Sequence, residues 1–248
     1  LERAQMVWLY GADAGKIAVV PCGVDLNIFQ PLPQEEAKRV LGLPDRRRII
    51  LYVGRIEPLK GIDTLIRAMA VVVPACPDWR ENLSVVIIGG APGAGADQSN
   101  AELARLDRLR AELGIEDLVT FLGSKDQDAL PDYYAAAEMV IMPSHYESFG
   151  LVALEAMAMG TPVIASEVGG LAFLVQDGHT GYHVPSRDPA ALADRMDFLL
   201  KNKDCRDMLG EQARRYAEQY AWSHIVERMI VLYEDLLRSA AARALQTA

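Results

Sequence analysis

The chain has 248 residues, enough for one large domain or for one domain with part of another. With 51% hydrophobic and 24% charged residues it has the composition of a globular protein, and its net charge of −9 argues against non-specific binding to nucleic acid or to an anionic membrane. Cys22, Cys76 and Cys205 are too few and too far apart for a disulfide framework or a zinc knuckle, so a reducing cytoplasm is expected.

The chain begins at Leu1 rather than methionine, and residues 1–10 already read as the tail of a helix. A segment of a longer protein is therefore expected. An apolar run at Ile17–Pro21 reads as a strand, and Pro21 to Pro33 carries the turn residues of a linker. Ile49–Val53 reads as the next strand, followed by the loop Gly54–Gly61, GRIEPLKG. Ile62, Leu65, Ile66, Met69 and Val73 then share one face of a helix. Strand Leu83–Ile88 leads into the glycine-rich Gly89–Gly95, which lacks the G-x-G-x-x-G spacing and reads as a loop over a cleft at most. The longest uncharged stretch, Asn82 to Ala96, is broken by glycine and proline and is too short to span a bilayer. A helix over Asn100–Leu113, a strand at Val119–Leu122 and a helix over Ala129–Ala137 come next. Strand Met139–Met142 and a helix over Gly150–Met159 follow, then strands at Pro162–Ala165 and Tyr182–Val184. The remainder is helical: Pro189–Leu200, Asp204–Tyr220 and Trp222–Ala244. Most strand runs are continuously apolar, as expected for parallel strands covered on both faces. The pattern predicts a doubly wound, Rossmann-like α/β sheet with a helical C-terminal tail.

In such folds ligands bind outside the carboxyl ends of the strands, and the chemistry-bearing residues fall there. Arg55 and Lys60 lie between a strand end and a helix start, where two cations can neutralise a diphosphate. Glu147 sits in the loop after Met139–Met142. After Phe149, Gly150 opens the next helix and Leu151 follows in it; its free N–H groups suit an anion, and Glu155 lies about one and a half turns inside it. Two acids beside a phosphate site are suited to accept hydrogen bonds from hydroxyl-rich groups attached to that phosphate. Taken alone, the two glutamates read equally well as ordinary surface acids, and the cations as solvated ones. Other features carry less. Asp126 and Asp128 have the DxD spacing of metal sites but precede a helix, where they read as cap and dipole partners. His179 and His183 flank Gly181, which argues against a helical zinc pair. His145 adjoins the site as a candidate hydrogen-bond donor, and Tyr220, Trp222 and Tyr233 read as packing residues.

In combination, GRxxxxKG at Gly54–Gly61, ExFGxxxxE at Glu147–Glu155, GTPVIASEVGG at Gly160–Gly170 and DGxTGYHV at Asp177–Val184 resemble the retaining GT-B glycosyltransferases of family 4 (glycosyl transferase group 1). The likeness covers nearly the whole chain and points to the C-terminal, donor-binding domain. It implies that residues 1–24 are the last helix and strand of an N-terminal domain, that 25–33 are a linker, and that 34–248 bind a nucleoside diphosphate sugar. It further implies that Arg55 and Lys60 hold the diphosphate and that Glu147 contacts the transferred sugar. Phe149, Gly150 and Leu151 would meet sugar and phosphate through their backbone, Glu155 would hold the ribose, and the loop to Lys125 would border the base. No metal or other cofactor is implied. UDP is the expected nucleotide, since ESFGLVALEAM and SEVGG look similar to sucrose-phosphate-synthase-like and glycosyl-inositol-phosphate-forming members. The acceptor would be bound mainly by the N-terminal domain. Two rival readings are a GT-B sugar-nucleotide epimerase and a non-catalytic sugar-nucleotide-binding module.

Overall fold

A computed structural model describes residues 2–75, 78–90 and 96–246. Cys76 and residues 91–95 of the glycine-rich loop lie outside the described residues. In chain order the elements are α1 (Glu2–Tyr10), α2 (Gln34–Val40), β1 (Arg48–Val53), α3 (Ile62–Ala75), α4 (Asp78–Asn82) and β2 (Leu83–Ile88). Then come α5 (Ala96–Glu112), β3 (Val119–Phe121), α6 (Leu130–Ala136), β4 (Met139–Met142), α7 (Leu151–Ala158) and β5 (Val163–Ser166). Last are α8 (Leu171–Leu174), β6 (Gly181–Val184), α9 (Pro189–Lys201), α10 (Lys203–Ala217) and α11 (Trp222–Gln246).

The strands form one six-stranded sheet in the order β3-β2-β1-β4-β5-β6, and every pairing is parallel. The continuous apolar runs follow from this arrangement, because each central strand is covered on both faces. Along β1, Ile50 and Tyr52 enter a core with α3, α5 and α9, while Ile49, Leu51 and Val53 enter a second core with α2, α6, α7 and α10. Chain order reverses between β1 and β4, whose pairing is Ile50 with Met139 and Leu51 with Val140. The loops leaving these two strands turn to opposite faces of the sheet, and such a switch point opens a crevice at the strand ends.

Three sequence expectations change. Ile17–Pro21 is not a strand. It pairs with no strand among the described residues, and Val19 is exposed. An apolar run becomes a strand only when a neighbour takes up its backbone hydrogen bonds. The pairing nearby is instead a single bridge between Val24 and Ala221, with Trp222 packed over Gly23. The stretch read as a linker is packed rather than free. Val24 and Phe29 are buried in the second core, and the Phe29 ring meets Tyr134 edge-on at 6.0 Å. Tyr233 is exposed rather than packed, on a helix whose Ile230, Leu236 and Leu237 are also exposed. Among the described residues no helix is long and apolar enough to cross a membrane.

Candidate functional site

The crevice at the switch point holds a cavity of about 270 Å³. Arg55 and Lys60 line it from the loop after β1, and Glu147, Phe149, Gly150 and Leu151 from the loop after β4 and the start of α7. Two expected residues do not line it. Glu155 sits one turn further along α7. Lys125 is exposed in the loop after β3, which joins the end of β2 through the Gly89 N–H donating to the Gly123 carbonyl at 2.9 Å. The sequence reading did not single out Cys22, Tyr52 or Ser148, which also border the cavity. Cys22 comes from the segment before α2, and nothing local in the sequence signals that approach.

Lys60 and Glu147 form the central contact. The ammonium donates to a Glu147 carboxylate oxygen at 2.7 Å, and the two side chains are only 17% and 14% exposed. Arg55 differs: it is 68% exposed and pairs at 2.8 Å with Glu57 of its own loop. The Tyr52 hydroxyl, deep at the end of β1, donates to the Arg55 carbonyl at 3.0 Å and holds that loop from beneath.

Backbone geometry brings the two loops together. Gly61 has φ +64, and a Cβ there would lie 2.1 Å from the Pro143 carbonyl oxygen, so glycine lets the loop after β1 close against the end of β4. Gly169, with φ +50, does the same on the other side, where a Cβ would stand 1.9 Å from the Glu147 carbonyl oxygen. The neighbouring Gly170 N–H donates to that oxygen at 2.8 Å, so the segment before α8 carries the Glu147 loop. Gly150 is the N-cap of α7, and no side chain caps it. Leu151 and Val152, in the first turn, line the cavity, and the positive end of the helix dipole lies at this end of α7.

Glu155 is set by a partner that the sequence did not reveal. The buried Tyr134 hydroxyl donates to one of its oxygens, Oε2, at 2.7 Å. Burial pushes the Glu155 pKa above its ordinary 4.5, and the tyrosine hydrogen bond opposes that rise. The folded chain then keeps this proton after the unfolded chain has released it. Stability falls as pH rises from the ordinary value through the raised one. Glu155→Gln keeps an acceptor for Tyr134 and removes the charge. Thermal melts should place the Gln variant above wild type at neutral pH, with the gap closing as pH falls toward 4.5. A gap independent of pH would refute the burial argument.

The remaining candidates take other places. Asp126 occupies the N-cap position of a short 3-10 turn but its side chain accepts no capping hydrogen bond, contrary to the expected role. The His183 ring nitrogen lies 3.3 Å from the Leu171 carbonyl, while His179 stands in the turn before β6. Among the described residues no group of three or more potential ligands could hold a metal ion. Tyr220 packs edge-on against Phe149 at 6.1 Å, which ties the short 3-10 turn after α10 to the cavity wall.

Comparison with known proteins gives the family and the fold. Residues 33–216 match the family described as Glycosyl transferases group 1. A "D-inositol 3-phosphate glycosyltransferase 2" of Catenulispora acidiphila is 44% identical over 222 residues, or 90% of this chain and 51% of the relative. A "D-inositol 3-phosphate glycosyltransferase" of Thermomonospora curvata is 42% identical over 253 residues, covering 98% of this chain and 58% of its own. Sucrose-phosphate synthase from Thermosynechococcus elongatus superposes with a TM-score of 0.84 at 37% identity, over 96% of this chain and 57% of that one. Anabaena HepE, solved with UDP and glucose, has a TM-score of 0.81 at 24% identity over 94% of this chain and 61% of its own, and shares the fold. The chain spans about half the length of the curated relatives it matches.

Proposed function

The chain belongs to the group 1 glycosyl transferases, and from that premise we propose that it is the donor-binding part of an enzyme that moves a hexosyl group from a nucleoside diphosphate sugar. The observation that carries this reading is the Lys60–Glu147 pair, 2.7 Å apart, facing the uncapped start of α7 across one cavity. The curated relatives are named D-inositol 3-phosphate glycosyltransferases and the solved relative a sucrose-phosphate synthase, which supports sugar transfer. We take UDP as the nucleotide, on the likeness of the Glu147–Met157 and Ser166–Gly170 segments to such members. In this reading residues 1–24 belong to a preceding domain that binds most of the acceptor, and the protein works in a reducing cytoplasm.

The chemistry follows from charge. Breaking the bond between sugar and diphosphate leaves negative charge on the departing phosphate and positive charge on the sugar. Lys60, Arg55 and the amides at Leu151 and Val152 meet the negative charge, where preorganised donors gain most. These groups supply the positive potential that a divalent ion would otherwise bring, so we propose neither a metal nor another cofactor. Glu147 accepts hydrogen bonds from hydroxyls of the transferred sugar, and Lys60 holds its carboxylate in place until the donor arrives. Glu155, anchored by Tyr134, accepts from the ribose. Retention of configuration belongs to the resemblance and is part of the proposal. Titration calorimetry of UDP against this chain tests the reading, and no binding of any nucleoside diphosphate would end it.

The two glutamates separate in the same experiment. Glu155→Ala should weaken UDP and UDP-sugar alike by about ten- to a hundred-fold, the worth of a hydrogen bond to a charged acceptor. Glu147→Ala should leave UDP affinity unchanged or raised, because Lys60 is freed, while removing the extra affinity of the intact donor. Equal losses for both ligands in Glu147→Ala, with the fold intact, would show this division of labour to be wrong.

A further inference from the structure

His145 lies in the loop after β4, yet the mechanism above leaves it without a task, and it does not line the cavity. Its ring and backbone instead join three loops at the carboxyl end of the sheet. The His145 N–H donates to the Leu59 carbonyl at 2.8 Å, in the loop after β1. Its Nδ1 lies 3.1 Å from the Ser186 hydroxyl, in the loop after β6. Its Cε1 packs on Gly61, where an added Cβ would stand 3.0 Å from that carbon. Leu59 and Gly61 are the residues on either side of Lys60. One histidine therefore touches both neighbours of the lysine at the centre of the site.

The far end of this brace is firm. Arg187 holds φ +64, the positive value for a non-glycine residue among those described, and such backbone persists only where its surroundings impose it. Asp188 caps α9 by accepting from the Ala190 and Ala191 amides, and α9 packs along α3, the helix that Gly61 introduces. Burial is the main influence lowering the His145 pKa. Arg187 adds to it and Asp63 opposes it, so the ring is neutral at neutral pH and adds no second cation beside Lys60.

We propose that His145 is a positioning residue for Lys60: by joining Leu59 and Gly61 to Ser186, it sets where the ammonium stands relative to Glu147 and to the diphosphate. This rests on the reading of Lys60 as a diphosphate ligand. It assigns His145 no contact with substrate, and the Ser186 hydroxyl shares its task.

A double-mutant cycle on UDP affinity distinguishes positioning from plain packing. Calorimetry is run on wild type, His145→Ala, Lys60→Ala and the double variant, with thermal melts to verify folding. His145→Ala should weaken UDP roughly ten-fold, the scale of one lost oriented interaction. The double variant should bind no more weakly than Lys60→Ala alone, because His145 acts through Lys60. A merely structural role would make the two losses add, and additive losses overturn the proposal. Ser186→Ala removes only the hydroxyl and should give a smaller loss of the same non-additive kind, which keeps the test available if His145→Ala does not fold. His145→Asn, with a polar atom near the Nδ1 position, should recover part of the affinity. If wild type binds UDP and both His145→Ala and Ser186→Ala bind it equally well, the proposal falls alone. If wild type binds no nucleoside diphosphate, the donor-site reading falls and takes the proposal with it.

Discussion

Lys60→Ala is expected to lower sugar transfer by the full-length protein about a hundred- to a thousand-fold, the range for losing one preorganised donor at a developing negative charge. The expectation rests on how enclosed this cation is. At 17% exposure Lys60 is shielded from solvent and salt, so its field on a bound diphosphate is strong. Arg55, 68% exposed and already paired with Glu57, should matter less, and its contribution should shrink further at high ionic strength. Lys60→Ala also leaves Glu147 uncompensated at 14% exposure, so a drop in Tm should accompany the loss of turnover. Lys60→Gln separates the two effects. It can still donate to Glu147 and should recover Tm, but it carries no charge and should not recover kcat. Steady-state kinetics with released nucleoside diphosphate as the readout decides. Turnover within about three-fold of wild type in both variants would remove Lys60 from the proposed transition-state contacts.

Gly169→Ala should be strongly damaging for so small a substitution near the site. A left-handed φ by itself costs a non-glycine residue about 1–2 kcal/mol. Here φ is +50 and the new Cβ would also lie 1.9 Å from the Glu147 carbonyl oxygen, so the Glu147 loop must move or lose its hydrogen bond from Gly170. We expect a loss of about 2–4 kcal/mol in unfolding free energy, the range for backbone strain combined with a lost buried contact. Weaker binding of UDP-sugar should follow if Glu147 makes the proposed sugar contact. Gly178→Ala is the internal control. Its φ is +70 but a Cβ there meets nothing within 4 Å, so it carries the conformational cost without the collision. Denaturant unfolding of the two variants isolates the collision as their difference. Equal destabilisation would mean that the segment before α8 does not support the Glu147 loop.

The sequence by itself determined the alternation of elements and the loops that carry charge. Runs such as Val85–Ile88 are apolar at every position because both faces of the strand are buried, and that pattern is legible without knowing what buries them. The run Met139–Met142 followed by an alanine-rich helical stretch likewise placed Glu147 at a strand's carboxyl end. Strand pairing was not legible, because it depends on residues far apart in the chain. Ile17–Pro21 is as apolar as a strand but among the described residues has no strand neighbour to complete its backbone hydrogen bonds, while Phe29, in a stretch of turn residues, is buried because Tyr134 lies beside it. Only the tertiary structure set β1 against β4, and so Lys60 against Glu147, Tyr134 against Glu155 and His145 against Ser186. Periodicity records which face of each element is buried. The order of strands in the sheet decides which loops meet, and that order comes from the packing of the whole chain.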